Sequence, residues 1–98
     1  VLRLVLGTGP DPASSDPLAR ALRDAGHEVV LASGTDAAGL AAAAVQEDAG
    51  LVLVTDGTLD EVEAALAAAA AADVPAYAAD PADLPGALAR AASYDGDG

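Results

Sequence analysis

The sequence predicts a single three-layer α/β domain: a parallel sheet of about four strands in the order 2-1-3-4, with helices on both faces. Three observations carry this. Short runs rich in Val and Leu recur at 1–6, 29–32 and 51–54, with a weaker one at 74–79, the character of strands covered on both faces. Each run is followed by turn residues and then by a stretch with helical spacing, and this alternation requires right-handed crossovers. The 98 residues suffice for one modest core and not for two.

Taken in order, residues 1–6 form a strand closed by Gly7, with Arg3 at the sheet edge or snorkelling to water. A Gly/Pro/Asp/Ser-rich loop runs to Pro17. Ser15 or Asp16 can cap the next helix, and Pro17 suits its first turn. Leu18, Ala21, Leu22 and Ala25 mark the inner face of that helix, and Gly26 ends it. His27 then falls in an exposed loop before the second strand. Asp36 caps a helix over 37–48 with Leu40, Ala44 and Val45 inward, and Gly39 weakens it by about 1 kcal/mol relative to Ala. Residues 51–54 are the clearest strand. Thr58 and Glu61 make a capping box for a helix reaching residue 72, with Val62 and Leu66 inward. The six alanines at 67–72 read as a packed helix face. Pro75 suits the start or the edge of the fourth strand. Asp80 caps a last helix through Leu84, Leu88 and Ala92. The domain thus covers 1–92, and 93–98 read as an acidic flexible tail. The arrangement is flavodoxin-like, or Rossmann-like, without a fifth strand.

Composition narrows the function classes. With no Phe, Trp or Met, the core rests on Leu and Val, each contributing about 1.5–3 kcal/mol when fully buried. The lack of Cys removes disulfides, Cys-based zinc sites and thiol nucleophiles, and fits a reducing, cytoplasmic setting. The formal charge is −12, with four Arg and no Lys. Nucleic acid and anionic membranes both require a basic footprint, so neither is an expected partner. The longest near-continuous apolar run, 62–72, is shorter than the roughly 20 residues of a membrane span. The acids either make a solubilising surface suited to high salt, a halophilic trait, or form a docking face for a basic partner. Their spread along the chain favours the first.

Open α/β sheets bind ligands outside the carboxyl ends of the strands, where the strand order reverses. Here that point falls between the loop after the first strand (Thr8, Gly9, Asp11, Ser14, Ser15) and the turn after the third (Thr55, Asp56, Gly57, Thr58). Backbone N–H groups and the hydroxyls of Thr8, Ser14 and Ser15 could hold the phosphate of a flavin or nucleotide. Gly7-Thr8-Gly9 after a strand resembles the phosphate loops of flavodoxins. Asp11 and Asp16 repel phosphate, however, and Pro10, Pro12 and Pro17 remove donors, so a structural turn and cap competes with ligand binding. Asp11, Asp16, Asp56 and Asp80 all follow strands, but cap roles explain Asp16 and Asp80 better than a Mg²⁺ site. No catalytic residue or metal ligand is assigned. His27 is the only histidine and has no nucleophile beside it in sequence.

The segments Ala19-Arg20-Ala21-Leu22-Arg23-Asp24-Ala25-Gly26-His27-Glu28-Val29-Val30 and Ala43-Ala44-Val45-Gln46-Glu47-Asp48-Ala49 resemble the cobalamin-binding domain of methylmalonyl-CoA-mutase-type enzymes. The resemblance covers the chain from the first strand to about the fourth. It implies the fold above, a cobalamin cofactor, and a mutase-type partner chain or a homo-oligomer. The family carries Asp-x-His-x-x-Gly after the first strand, whose His ligates cobalt. Counting back from Ala25-Gly26, those positions are Gly9, Asp11 and Ser14, so the ligand motif is missing. The family's Ser-rich segment after the third strand corresponds to Thr55–Thr58. Its Gly-Gly after the fourth strand falls near Ala78-Ala79, where methyl groups narrow the slot for the corrin tail. The resemblance therefore implies a degenerate cobalamin-binding-type domain with weak or no corrinoid binding. The alternatives are a non-catalytic interaction domain on the same scaffold, and a phosphate-bearing ligand held by the first loop.

Overall fold

A computed structural model describes residues 3–9, 16–33, 36–55, 59–80 and 82–95. Four strands alternate with four helices: β1 (Arg3–Gly9), α1 (Asp16–Asp24), β2 (Glu28–Ser33), α2 (Ala37–Gln46), β3 (Leu51–Val54), α3 (Leu59–Ala68), β4 (Ala76–Ala78) and α4 (Leu84–Asp95). The strands form one parallel sheet in the order β2-β1-β3-β4, as the alternation requires. α1 and α4 cover one face, and α2 and α3 the other.

The two central strands show why the faces differ. Leu4 pairs with Leu51 and Leu6 with Leu53, while Val5 pairs with Val52 and Gly7 with Val54. Side chains alternate along a strand, so this register lays a leucine stripe on one face and a Val/Gly stripe on the other. The leucine stripe packs on Leu18, Ala19 and Leu22 of α1 and on Ala87 and Ala91 of α4. The valines pack on Leu40, Ala41 and Ala44 of α2 and on Val62 and Leu66 of α3.

Several expectations need correction. β1 does not end at Gly7 but runs through Thr8 and Gly9. Arg3 lies at the amino end of a central strand, not on a sheet edge; its guanidinium pairs with Glu28 at 2.8 Å and donates to the Glu47 carbonyl at the end of α2, where a cation complements the helix dipole. Ala19 of α1 is buried, packed with Ala87 and Ala91 of α4, while Ala25 falls just past the end of the helix and is exposed. Val45 is 51% exposed rather than inward. That end of the core is filled by Ala49, which the turn after α2 folds back toward Ala44. α4 continues through Ser93, Tyr94 and Asp95, three positions into the expected tail. Asp80 holds a local turn, accepting from the Ala82 N–H, while Asp83 accepts from the Gly86 N–H at the start of α4.

The ends of α1, α2 and α3 share one construction. His27, Ala49 and Ala71 each donate their N–H to the carbonyl five residues back, on Leu22, Ala44 and Leu66. Gly26, Asp48 and Ala70, just before them, have φ of +97°, +53° and +59°. These are Schellman motifs, in which the residue after the left-handed position turns inward. His27 is accordingly 7% exposed rather than in an exposed loop, and its Nδ1 has no hydrogen-bond partner among the described residues. The same geometry corrects the alanine run. α3 stops at Ala68, and Ala67, Ala68, Ala69 and Ala70 face water, so only Ala71 joins the core.

Candidate functional site

The carboxyl ends of β1 and β3 meet at the point where the strand order reverses, which is the switch point that the expected order 2-1-3-4 predicts. Of the nominated residues, Thr8, Gly9 and Thr55 are described; Asp11, Ser14, Ser15, Asp56, Gly57 and Thr58 lie outside the described residues.

Thr8 is not a loop residue. It is 4% exposed and sits in a bulge, since Gly7 pairs with Ala32 and Gly9 with Ser33, leaving Thr8 as the extra residue of β1. Bulges of this kind bend a strand and re-aim its side chains. Thr55 is committed to the fold. Both its N–H (3.0 Å) and its Oγ1 hydroxyl (3.1 Å) donate to the Gly7 carbonyl. This ties the end of β3 to β1 and directs the hydroxyl proton of Thr55 at the backbone.

Gly7 has a role that its position before a loop did not reveal. A Cβ on Gly7 would come within 2.8 Å of Leu40 Cδ1 and 3.1 Å of Cδ2. The missing side chain lets Leu40 of α2 lie against the strand, so a leucine covers β1 beside the crevice on the Val face. The sequence signal was a glycine interrupting a Val/Leu strand, which marks a close approach.

On the other face, a cavity of about 230 Å³ lies between the ends of β3 and β4 and the first turns of α4. Its lining includes Leu53, Ala78, Ala79, Asp83 and Arg90. Ala78 and Ala79 are the positions where the resemblance places Gly-Gly. Ala79 is half-buried and donates its N–H to the Val54 carbonyl at 2.8 Å. The Arg90 guanidinium stacks over the Tyr77 ring, 4.3 Å from its centre. Asp16 is the first residue of α1, a favourable place for a carboxylate at a helix N-terminus.

His27 lies at the opposite end of the sheet, immediately before the first residue of β2. The six residues of β2 span roughly 20 Å, so its imidazole and the switch-point crevice are separated by the full height of the sheet. Among the described residues, no group of three or more His, Cys, Asp or Glu is placed to hold a metal ion. No described helix is long and apolar enough to cross a membrane.

No protein-family model matches the chain, and no curated protein matches it.

Proposed function

We propose that this chain is a degenerate cobalamin-binding-type module of a mutase-like system: a non-catalytic α/β domain that binds a corrinoid weakly or not at all. The placement of His27 supports this reading best. A cobalt-ligating imidazole must stand at the carboxyl ends of the strands, and the only His of the chain is at their amino ends. The crevice residues point the same way. Thr55 donates its hydroxyl proton to Gly7, and Leu40 covers the strand beside it. The 230 Å³ cavity by Ala78 and Ala79 is below the range of about 300–1,000 Å³ that drug-sized ligands occupy, and a corrinoid is larger than these. Any chemistry would then belong to a cofactor or partner chain, with this domain as scaffold. The expected partner is a mutase-type chain or a second copy.

Titration with hydroxocobalamin, followed by corrin absorbance and gel filtration, tests the proposal. The expected result is no spectral change and no co-elution at high-micromolar protein. Stoichiometric co-elution with a shifted corrin spectrum would overturn it. A flavin or nucleotide that raises the melting temperature would favour a phosphate site on the first loop instead.

A further inference from the structure

Among the described residues, no strand pairs with the outer edge of β4. Val52 donates its N–H to the Pro75 carbonyl (2.9 Å), and Ala79 donates to Val54 (2.8 Å). In a parallel ladder, alternate residues of a strand bond to the same neighbour. Pro75, Tyr77 and Ala79 therefore serve β3, while Ala76 and Ala78 turn their N–H and C=O groups outward. Among the described residues, β4 pairs with β3 alone.

A cavity flanks this edge on each face of the sheet. One, of about 300 Å³, lies on the α3 side and is lined by Glu63, Leu66, Val74 and Ala76. The other is the 230 Å³ cavity on the α4 side, with Leu53, Ala78, Asp83 and Arg90. An added strand sends successive side chains to opposite faces, so its residues would enter the two cavities in alternation. The α3 side offers Leu66, Val74 and Ala76 beside Glu63, and the α4 side offers the exposed Asp80 and Asp83, with Arg90 drawn over Tyr77, so alternation sets apolar residues on the first side and cations on the second.

We propose that the β4 edge accepts, as an additional strand, an extended segment of a partner protein that alternates apolar residues with Lys or Arg. Charge selects this occupant over a second copy, which would bring the same rim carboxylates and another −12 to the contact. The proposal goes beyond the corrinoid reading: the two share the α4-side cavity, but only an added strand engages the outward Ala76 and Ala78 backbone, on the side of β4 away from β3.

The test uses the ¹⁵N-labelled chain and a short acetylated, amidated peptide of alternating Val and Lys. Expected are shifts and slowed hydrogen exchange at the Ala76 and Ala78 amides. A Val–Glu peptide, and a Ser–Lys peptide of the same charge, should each bind about tenfold more weakly. Ala78→Pro removes an outward N–H and leaves the β3 ladder intact; it should weaken the Val–Lys peptide about tenfold. Glu63→Lys, on the helix surface, should weaken it about threefold and serves if the proline variant does not fold. No binding at high-micromolar peptide would overturn the proposal. So would shifts spread over the acidic surface, equal binding of the Ser–Lys peptide, or unchanged affinity in both variants. A free chain that is dimeric, with Ala76 and Ala78 already protected, would assign the edge to a second copy and overturn it as well.

Discussion

The two faces of the sheet solve the same packing problem at different cost. On the α1/α4 face the strands supply leucines, and Leu4, Leu6, Leu51 and Leu53 are essentially fully buried against Leu18, Leu22 and the alanines of α4. On that face α1 ends on Gly26, which takes its positive φ without a Cβ penalty. On the α2/α3 face the strands supply valines and a glycine, and the helices sit close enough for Leu40 to touch Gly7. Both of its helices stop on residues with a Cβ, Asp48 and Ala70, held at positive φ. Of its helices, α3 carries Asp60, Glu61 and Glu63 and α2 carries no charge, whereas Arg20, Arg23 and Arg90 are all on α1 and α4. Both faces are fully buried; the larger strand side chains lie where backbone strain is least, and the strained helix ends share their layer with the acids of α3.

The largest test of this contrast is truncation. Leu53→Ala should cost about 3–4 kcal/mol and Val52→Ala about 2, measured by urea denaturation. Equal losses would mean that the faces are energetically alike. Gly7→Ala should destabilise by about 1–3 kcal/mol, because Leu40 must move or change rotamer. Combining it with Leu40→Ala should cost less than the sum of the two single changes, and strict additivity would contradict the contact.

These two predictions also show what was legible beforehand. The alternation of Val/Leu runs with helical stretches led directly to the parallel sheet and its order. Leu4, Leu6, Val52 and Val54 were plain strand residues because their chemistry matches their burial. At the site, Thr8 and Thr55 were visible as polar groups following strands. Their use by the fold was not visible, because a hydroxyl's partner depends on which strands become neighbours. Gly7 and Leu40 are thirty-three positions apart and meet only when α2 crosses β1.

A gain of stability is expected where the strain sits. Ala70→Gly should stabilise by about 1 kcal/mol, since left-handed backbone costs an L-residue roughly 1–2 kcal/mol, partly offset by the unfolded-state entropy of Gly. Asp48→Gly should gain less, because Asp tolerates this region. No gain in either variant would show that the α2/α3 layer is not strained at its helix ends.

The smallest effect is electrostatic. With a net charge of −12, melting temperature should rise from low to molar KCl as screening weakens self-repulsion. Glu63→Lys on the acidic layer should reproduce a part of that rise at low salt, on the order of 0.5 kcal/mol. A melting temperature that is flat in salt would remove charge from the comparison.

The sequence by itself determined the number and order of strands and helices, the sheet's two-sided burial and the acidic surface. Local periodicity and composition carry those directly, because each element's pattern must match its own period. Only the tertiary structure decided that His27 turns inward, that Ala67–Ala70 face water, that Val45 is exposed, and that Leu40 lies on Gly7. Each of these depends on a helix stop or a crossing between distant segments, where long-range packing overrides local preference. The same holds for the β4 edge. Its residues read as a weak strand in isolation, and only the assembled sheet shows that Ala76 and Ala78 turn their hydrogen-bonding groups outward, between two cavities.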